Sequence, residues 1–430
     1  MLDINLIREN PQLVQEKLAR KGFAADFAAF LQRDAERRQL IHETEKLKAE
    51  RNKTSSDIPR LKKAGEDIVP LLARMKAIGE QIKAGDERIT ELDEGQQAFL
   101  EVLPNLPADD VVAGGKENNQ VVASGNCKPS FSFQPRHHVD LCEQLGLIDY
   151  RRGALLGGSG FWVYRGLGAR LEWALLNFFM EEHLRDGYEM ILPPHILNWQ
   201  CGYTAGQFPK FKDDVFQLRK EQDEDEGFTH FILPTAETAL VNMHRDEIID
   251  ETLLPLRYFA YTPCYRKEAG SYRAEERGMI RGHQFNKIEM FQFTLPHLAE
   301  SALQELVGKA SRLVEKLGLH YRVSKLAAGD CSAAMRKTYD IEVWIPSMND
   351  YKEVSSASDA GDYQARRGNM RYRPTDGGKP AFLHTLNASG LATSRIFPAI
   401  IEQNQQADGS VLIPQVLQKW LDGQTVIKPF

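Results

Sequence analysis

The chain has 430 residues, of which 54 are Lys or Arg and 60 are Asp or Glu, giving a formal net charge of -6 at pH 7. This length allows two or three domains that each bury a core. The acidic balance predicts no general affinity for polyanions, so nucleic acid would have to bind through local basic patches. The five cysteines form no CxxC pair, which predicts a reduced, cytoplasmic protein without a Cys-based zinc site. No signal-like or bilayer-length apolar run occurs, so we expect neither secretion nor membrane insertion.

The N-terminal part of the sequence predicts a helical hairpin. Residues 1–26 indicate a short helical lead-in, and residues 33–58 form a long, highly charged helical segment. From Ile68 onward, apolar residues recur every three or four positions for about five heptads, which is typical of a helix packed along another helix. Pro59 and Gly65 lie between the two segments, and a proline in mid-helix normally breaks it. We therefore predict an antiparallel coiled coil that turns near residues 57–66.

The first helix of this hairpin and its turn are basic, with ten Lys and Arg against six Asp and Glu. One interpretation is a surface that contacts a nucleic-acid backbone. The other is the ordinary solvated flank of a coiled coil, and the charge pattern by itself favours this second interpretation.

A stretch rich in Pro, Gly, Asp and Asn ends the heptads, and we predict domains at 1–105 and 127–430 joined by a linker at 106–126. Beyond the linker, helices are expected at 168–185 and 301–317, and strands at 188–194, 339–345 and 351–355. Because the strands are irregularly spaced and include hairpin-like pairs, we expect an α+β domain with an antiparallel sheet flanked by helices.

Two further predicted strands, 258–268 and 283–294, enclose a loop punctuated by glycines. Alternation places Arg266 and Glu268 on one face of the first strand, and Phe285, Lys287 and Glu289 on one face of the second. A buried charge without a partner costs several kcal/mol, so these groups must pair with each other or meet a ligand. A structural Arg–Glu network and a ligand site are equally compatible with this pattern.

Several separated segments resemble the class II aminoacyl-tRNA synthetases. The helix and strand that end at Pro193 and Pro194 are similar to motif 1 of that class. TPCYRKEAGSY with RGMIRGHQFNKIEMFQF is similar to motif 2, and NASGLATSRIFPAIIEQNQQ to motif 3. Together with ILPTAETAL, KTYDIEVWIP, EVSSASDAGDYQARR and the helical arm, their order resembles the seryl-tRNA synthetases of the common bacterial and eukaryotic type.

This resemblance implies ATP-dependent ligation of L-serine to tRNA(Ser), and also to tRNA(Sec), through a seryl-adenylate, by a homodimer that uses Mg²⁺. The implied catalytic residues are Arg266 and Arg395. The implied serine pocket consists of Thr235, Ala236, Glu237, Arg266, Glu289, Asn387 and Ser389. The implied ATP contacts are Arg266, Lys267, Glu268, Phe285, Glu353, Val354, Ser355, Ser356 and Arg395, with Glu353 and Ser356 as Mg²⁺ ligands.

The resemblance also favours tRNA binding by the hairpin, because family members grip the long variable arm of tRNA with it. The implied tRNA contacts are Arg33, Arg37, Lys46, Lys48, Arg51, Lys53, Arg273 and Arg277.

Some positions depart from the family pattern. Ser394 precedes the motif 3 arginine where glycine is usual, and Ala357 and Asp359 stand where Cys and Asn are common in bacterial members. These departures leave open a paralogue specialised for another carrier or for antibiotic resistance, and a non-catalytic RNA-binding paralogue. Asn387 and Ser389 could also merely cap a helix that starts near Gly390.

Overall fold

The computed structural model describes residues 1–218, 229–268 and 278–429, which form two compact units. One unit contains Leu2–Ala19 and Phe23–Leu103, and the other contains Met1, Arg20–Gly22 and Pro104–Phe430. Within the described ranges, no helix is both long and apolar enough to cross a membrane.

The smaller unit is helical and confirms the predicted hairpin. Its helices are α1 (Ile4–Glu9), α2 (Pro11–Arg20), α3 (Ala28–Lys63) and α4 (Val69–Val102). Helices α3 and α4 run antiparallel, since ion pairs join Lys48 to Asp86 at 2.7 Å and Glu50 to Arg74 at 2.5 Å. Apolar residues of the α4 seam, such as Ile78 and Ile82, are buried against α3.

The prediction that Pro59 breaks the first long helix is wrong. Pro59 lies inside α3, which continues to Lys63 before the chain turns. A proline removes one backbone N–H and leaves the carbonyl four residues earlier without its helical partner. Here Pro59 and Ser55 are both exposed, so water can hydrogen-bond to that carbonyl and the helix continues.

A buried carboxylate links three helices of the smaller unit. Asp34 of α3 has a fully buried side chain and accepts hydrogen bonds from Arg8 of α1 at 2.6 and 2.8 Å and from Gln96 of α4 at 3.0 Å. Burial alone would raise the pKa of Asp34, but the hydrogen bonds from Arg8 and Gln96 lower it below its usual range. Because a buried carboxylate needs all these donors, Asp34 fixes how the three helices meet.

The larger unit combines many strands with shorter helices. Its helices are α5 (His138–Gln144), α6 (Tyr150–Gly157), α7 (Leu167–Arg185), α8 (Trp199–Thr204), α9 (Glu237–Leu240), α10 (Ala299–Lys316), α11 (Tyr363–Arg367) and α12 (Thr393–Gln403). Its strands are β1 (Gln120–Gly125), β2 (Ile148–Asp149), β3 (Val163–Tyr164), β4 (Glu189–Ile191), β5 (Ile196–Asn198), β6 (Phe216–Leu218), β7 (His230–Ile232), β8 (Ile248–Asp250), β9 (Leu256–Tyr265), β10 (Gln284–Thr294), β11 (Tyr321–Lys325), β12 (Lys337–Ile345), β13 (Asp350–Gly361), β14 (Arg371–Arg373), β15 (Ala381–Phe382), β16 (His384–Ala392), β17 (Val411–Leu412) and β18 (Val426–Ile427).

Eight of these strands form the main sheet, in the order β1-β11-β12-β13-β16-β10-β9-β4. Neighbouring strands are antiparallel except for the β4–β9 pair, which is parallel. The α+β class with an antiparallel sheet flanked by helices is therefore confirmed. Part of the stretch predicted as a linker forms the edge strand β1, which pairs with β11.

Alternation along the central strands creates two different faces. Ile288 and Met290 of β10 and Ala388 of β16 belong to the main core, which also includes apolar residues of α7, α10 and α12. Glu289, which lies between the two β10 core residues, must therefore face the other way. The candidate site lies on this other face, where Lys287 and Glu289 precede Phe291 and Phe293 of a second apolar cluster.

The predicted strand at 258–268 is too long. Strand β9 ends at Tyr265, and Glu268 has a left-handed backbone with φ of 48°. The expectation that Arg266 and Glu268 share a strand face is therefore wrong. Beyond the end of β9 the Arg266 N–H still donates to the His283 carbonyl at 2.9 Å, but tertiary contacts place the Arg266 and Glu268 side chains.

Substituting Asp34→Asn should loosen the helical unit, because Arg8 and Gln96 would lose a charged acceptor in a buried setting. We expect the free energy of opening of α3 and α4 amides to fall by about 2–3 kcal/mol, measured by hydrogen exchange on the full chain. The matched change Asp86→Asn removes a half-exposed pair with Lys48 and should cost at most about 1 kcal/mol. Equal effects of the two substitutions would contradict the role given to Asp34.

Candidate active site

The floor of the site is a buried carboxylate on β10. Glu289 is 1% exposed and forms an ion pair with Lys287 of the same strand. It also accepts hydrogen bonds from Thr235 Oγ1 at 3.3 Å and from Asn387 Nδ2 at 3.4 Å. Ser389 lies directly opposite Glu289 on β16. These residues of the predicted serine pocket are therefore brought together around one negative charge.

Asn387 and Ser389 do not cap a helix. Strand β16 runs through both residues to Ala392, and α12 begins at Thr393. The Oδ1 atom of Asn387 is buried and has no hydrogen-bond partner within the described ranges. A buried acceptor without a partner is costly, which is consistent with a ligand at this position.

Lys287 is a site residue that the family resemblance did not name. Its ammonium group is almost fully buried, pairs with Glu289, and lies 2.7 Å from Thr235 Oγ1. A signal for Lys287 was present in the sequence, because alternation placed it on the same face as Glu289. What the alternation could not show was that Thr235, from a separate part of the chain, completes this network.

A second carboxylate borders the floor at the start of α9. The Glu237 side chain accepts a hydrogen bond from Gln364 Nε2 at 2.9 Å, and its backbone N–H donates to Thr235 Oγ1 at 3.3 Å. Ala236, just before α9, is fully buried and contributes only a methyl group. Burial, together with repulsion from Glu289, raises the pKa of Glu237 to about 7. Glu237 is therefore poised to gain from a cationic ligand.

Arg266 lies just beyond β9 at the side of the site. Its Nε donates to the Pro234 carbonyl at 3.3 Å, and its guanidinium lies 5.2 Å from the centre of the Phe285 ring. The backbone N–H of Lys267 donates to the Asp214 carbonyl at 3.1 Å. These contacts hold the segment that follows β9 after it has left the sheet.

Glu268 and Arg395 complete the rim. Glu268 accepts from Arg281 Nε at 2.7 Å. Arg395, in the first turn of α12, donates to the Glu353 carbonyl oxygen at 2.7 Å and to the Ile280 carbonyl oxygen at 3.2 Å. Its Nη1 is also 3.6 Å from the Glu353 carboxylate.

These residues surround two adjacent cavities. One is lined by Arg266, Glu268, Phe285, Lys287, Glu353, Val354, Ser389, Ser394 and Arg395, among others. The other has a volume of about 380 Å³ and shares Arg266 and Glu268, with Gln207, Phe211, Pro234 and Thr235 among its other lining residues. The structure thus joins the predicted ATP residues to the predicted serine residues through Arg266.

The predicted Mg²⁺ ligands lie on β13, beside a further carboxylate. Ser356 pairs with Asp340 of β12 in the sheet register, and its hydroxyl hydrogen-bonds to the Asp340 carboxylate. The Asp340 Oδ1 atom is buried and has no partner within the described part of the chain. Ser355 is directed differently, because its Oγ donates to the Ser389 carbonyl at 2.6 Å.

Only one of the three departures from the family pattern lines the site. Ser394 borders the same cavity as Arg395. Ala357 belongs to the main core beneath the sheet, and Asp359 pairs with Arg336 at 3.3 Å. The departure at Ala357 therefore affects core packing, and the departure at Asp359 affects a local ion pair.

The predicted tRNA contacts on α3 differ in their surroundings. Arg33, Lys46 and Lys53 are exposed, whereas Arg51 is half-buried. Arg37 forms an ion pair with Asp93 of α4, as Lys48 does with Asp86. Arg273 and Arg277 lie outside the described residues.

The site combines an antiparallel sheet with one arginine just after β9, a second at the start of α12, and buried carboxylates near both. This combination is typical of a class II aminoacyl-tRNA synthetase. Two family models agree with this assignment. The tRNA synthetase class II core domain (G, H, P, S and T) matches residues 216–404, and the seryl-tRNA synthetase N-terminal domain matches residues 1–107.

Relatives that match over their full length show which class II synthetases the chain resembles. The chain is 59% identical to serine–tRNA ligase 2 of Clostridium acetobutylicum, with 98% of this chain and 99% of that protein covered. It is 45% identical to the serine–tRNA ligase of Nitratidesulfovibrio vulgaris (strain Miyazaki F), with 98% of each covered. A crystal structure of seryl-tRNA synthetase from Pyrococcus horikoshii complexed with ATP matches with a TM-score of 0.92 at 34% identity over the whole of both chains. The chain belongs to the seryl-tRNA synthetase family, the serine–tRNA ligases of class II.

The raised pKa of Glu237 predicts a pH-dependent stability. The folded state holds this proton more tightly than the unfolded state, so the Glu237 contribution to stability is lost as pH rises from about 4.5 to about 7. Glu237→Gln cannot bind or release this proton. The difference between its melting temperature and that of the wild type should therefore shift in favour of the variant across this pH range and stay constant at higher pH. Glu189→Gln, at an exposed position on β4, is the control. Parallel pH profiles for wild type and Glu237→Gln would contradict the assignment.

Proposed function

We propose that this enzyme activates L-serine with ATP, forms a seryl-adenylate, and transfers the seryl group to tRNA(Ser) and also to tRNA(Sec). The observation that carries the proposal is the pair Arg266 and Arg395, which border one cavity together with Phe285, Lys287 and Ser389. Glu289 adjoins that lining, because it pairs with Lys287 and lies opposite Ser389. Two cations near a buried carboxylate suit a ligand that has several anionic oxygens at one end and an ammonium group at the other.

ATP is assigned to the cavity bordered by the two arginines. The planar guanidinium of Arg266 can contact an α-phosphate oxygen and the serine carboxylate together, while Arg395 approaches the nucleotide from the opposite side. The Phe285 ring offers a face on which adenine can stack, and the carboxylate and backbone of Glu268 can accept from its amino group. Lys267 and Val354 would contribute through the segments that hold these groups.

Serine is assigned to the floor. Glu237 and Glu289 provide one carboxylate for the substrate ammonium and one acceptor for its hydroxyl, and Ser389 and Asn387 line the β16 side of the floor. Alanine would leave buried polar groups here without a partner, so discrimination against it follows from the cost of unmet hydrogen bonds.

The donor set on β13 fits a hard divalent cation. The Glu353 carboxylate, the Ser356 hydroxyl and the nearby Asp340, one oxygen of which has no partner among the residues that the structure describes, are all oxygen donors. We assign Mg²⁺ to Glu353 and Ser356. The bound ion would neutralise phosphate charge during the reaction.

The chemistry requires no protein nucleophile. A serine carboxylate oxygen forms a bond to the α-phosphorus of ATP, and the bond from that phosphorus to the pyrophosphate oxygen breaks. In the second step, a terminal ribose hydroxyl of tRNA attacks the seryl carbonyl and AMP leaves. Arg266 and Arg395 orient the reactants and stabilise the charge that develops on phosphorus-bound oxygens.

Arg266→Ala should lower kcat/KM for serine-dependent pyrophosphate exchange by roughly two to four orders of magnitude, with an unchanged melting temperature. Arg257→Ala is the matched control, because Arg257 lies on β9, the strand that precedes Arg266, and pairs with Glu305 at 3.2 Å. This variant should retain near wild-type exchange. Wild-type exchange in Arg266→Ala would refute the assignment.

We propose that the helical hairpin binds tRNA by contacting the phosphate backbone of the tRNA and by fitting its shape. The support is the exposure of Arg33, Lys46 and Lys53 along α3, since exposed cations contact phosphates regardless of base sequence. Lys48, held by Asp86, and Arg37, held by Asp93, would contribute less.

Replacing Arg33, Lys46 and Lys53 together by Glu should raise KM for tRNA(Ser) in aminoacylation by at least about tenfold, with a weaker salt dependence. Serine-dependent pyrophosphate exchange needs no tRNA, so it serves as the internal control and should be unaffected. Loss of both activities would indicate a structural role for these side chains.

We propose a homodimer that works in the cytoplasm. Apolar side chains are exposed on and beside α7 and the edge strand β4, including Trp173 at 53%, Leu184 at 54% and Leu192 at 74%. Such a patch next to a strand edge suits a second copy of the chain. The five cysteines are all free thiols, which suits a reducing compartment.

Leu192→Arg should shift the mass in solution, measured by light scattering, from two chains toward one. Leu253→Arg is the control, because Leu253 is similarly exposed, at 61%, on a different element. Identical masses for the two variants would count against this interface.

A further inference from the structure

Residues 279–281 reach the candidate active site from one side. The Ile280 carbonyl accepts from Arg395 Nε at 3.2 Å, and Arg281 Nε donates to Glu268 at 2.7 Å. The place of this short segment therefore sets the place of Arg395 and Glu268, to which ATP contacts are assigned.

The same segment is held from behind by a histidine that the proposed mechanism does not use. The Met279 backbone N–H donates to His138 Nε2 at 3.4 Å, and His138 Nδ1 lies 2.7 Å from Glu402 Oε1. Both side chains are fully buried. Because a carboxylate only accepts, Nδ1 must carry the proton, which leaves Nε2 as the acceptor that Met279 needs.

Glu402 is itself fixed by several donors. It accepts from the His138 backbone N–H and from the N–H and Oγ of Ser347, each at 2.9 Å. Burial would raise the pKa of Glu402, but its hydrogen bond and attraction to His138, together with the Ser347 N–H, lower it. The carboxylate is thus kept ionised and keeps His138 in one orientation.

Helix α12 contains both residues that hold the segment 279–281, one directly and one through His138. Arg395 lies in its first turn and Glu402 near its end, about two turns later. Arg395 binds the Ile280 carbonyl, while Glu402 acts on the neighbouring Met279 N–H through His138. Two consecutive residues of the segment are therefore fastened to one rigid helix.

The close approach of His138 also restricts position 278. Gly278 has φ of +81°, and a Cβ there would lie 2.5 Å from His138 Nε2 and 2.5 Å from Val139 Cγ2. His137, His138 and Glu402 lie close enough to hold a metal ion. However, both ring nitrogens of His138 are engaged in hydrogen bonds, and His137 Nδ1 accepts from the Val139 N–H at 3.2 Å.

We infer that His138 and Glu402 form a positioning pair, which holds residues 279–281 so that Arg395 and Glu268 are in place for ATP. The inference rests on the proposed function, since it takes ATP as the ligand of those two residues. His138 touches no reacting atom in this scheme and acts only through the segment.

Two substitutions of His138 separate its two hydrogen bonds. Asn reaches only as far as Nδ1, so His138→Asn can keep the bond to Glu402 but loses the acceptor for Met279. Gln reaches as far as Nε2, so the side-chain oxygen of His138→Gln can still accept from Met279. In serine-dependent pyrophosphate exchange, His138→Asn should raise KM for ATP about tenfold, the effect of one lost hydrogen bond. His138→Gln should stay within about twofold of the wild type.

Ser347→Ala is the matched control, because it removes one hydrogen bond to Glu402 and leaves His138 in place. It should lower the melting temperature without changing KM for ATP. Gly278→Ala attacks the same contact from the other side and should raise KM for ATP as His138→Asn does, which keeps the test decisive if a His138 variant does not fold.

The inference is overturned if Asn and Gln at position 138 give the same KM, if Gly278→Ala leaves KM unchanged, or if Ser347→Ala raises KM as much as His138→Asn. Failure of the wild-type protein to catalyse serine-dependent exchange would instead overturn the proposed function.

Discussion

The Glu289 carboxylate, buried on β10 and paired with Lys287, is the constraint on which the rest of the site depends. A carboxylate that has left water must be surrounded by donors or by positive charge, or the folded state pays a penalty of several kcal/mol. Lys287, Thr235 and Asn387 meet that demand from three separate parts of the chain. Meeting it brings β10, β16 and the start of α9 together, and this convergence forms the floor of the pocket.

The site is nevertheless left electrostatically incomplete. Burial, together with repulsion from the nearby Glu289, raises the pKa of Glu237 to about 7, and Asn387 Oδ1 and Asp340 Oδ1 have no partners within the described ranges. A protein interior rarely leaves such groups unmet unless something else meets them. An ammonium group and a divalent cation would satisfy these atoms, which links the electrostatics of the site to the chemistry proposed for it.

Helix α12 connects the chemistry to the scaffold. Its buried side packs on the main core, while its first turn presents Arg395 and its last turn presents Glu402. A helix packed on a sheet is stiff, so groups attached to its two ends keep a fixed separation. This explains how a segment outside regular secondary structure, residues 279–281, can be held accurately on both sides.

The sequence by itself determined the period-dependent features of this protein. Heptad spacing predicted the α3–α4 hairpin, and alternation predicted that Lys287 and Glu289 share a face of β10, because each depends only on the geometry of one helix or strand. The order of the motifs along the chain predicted the family, and the resemblance to that family predicted most of the candidate site residues.

Only the tertiary structure decided what depends on groups far apart in the chain. Pro59 continues a helix because its surroundings are solvent, β9 ends before Arg266, and Asn387 lies in a strand and caps no helix. Likewise, no local pattern could show that His138 meets Glu402, 264 residues away, or that Met279 needs His138 as an acceptor. Burial and hydrogen-bond partners belong to the assembled fold, and these set the charge state and position of each group.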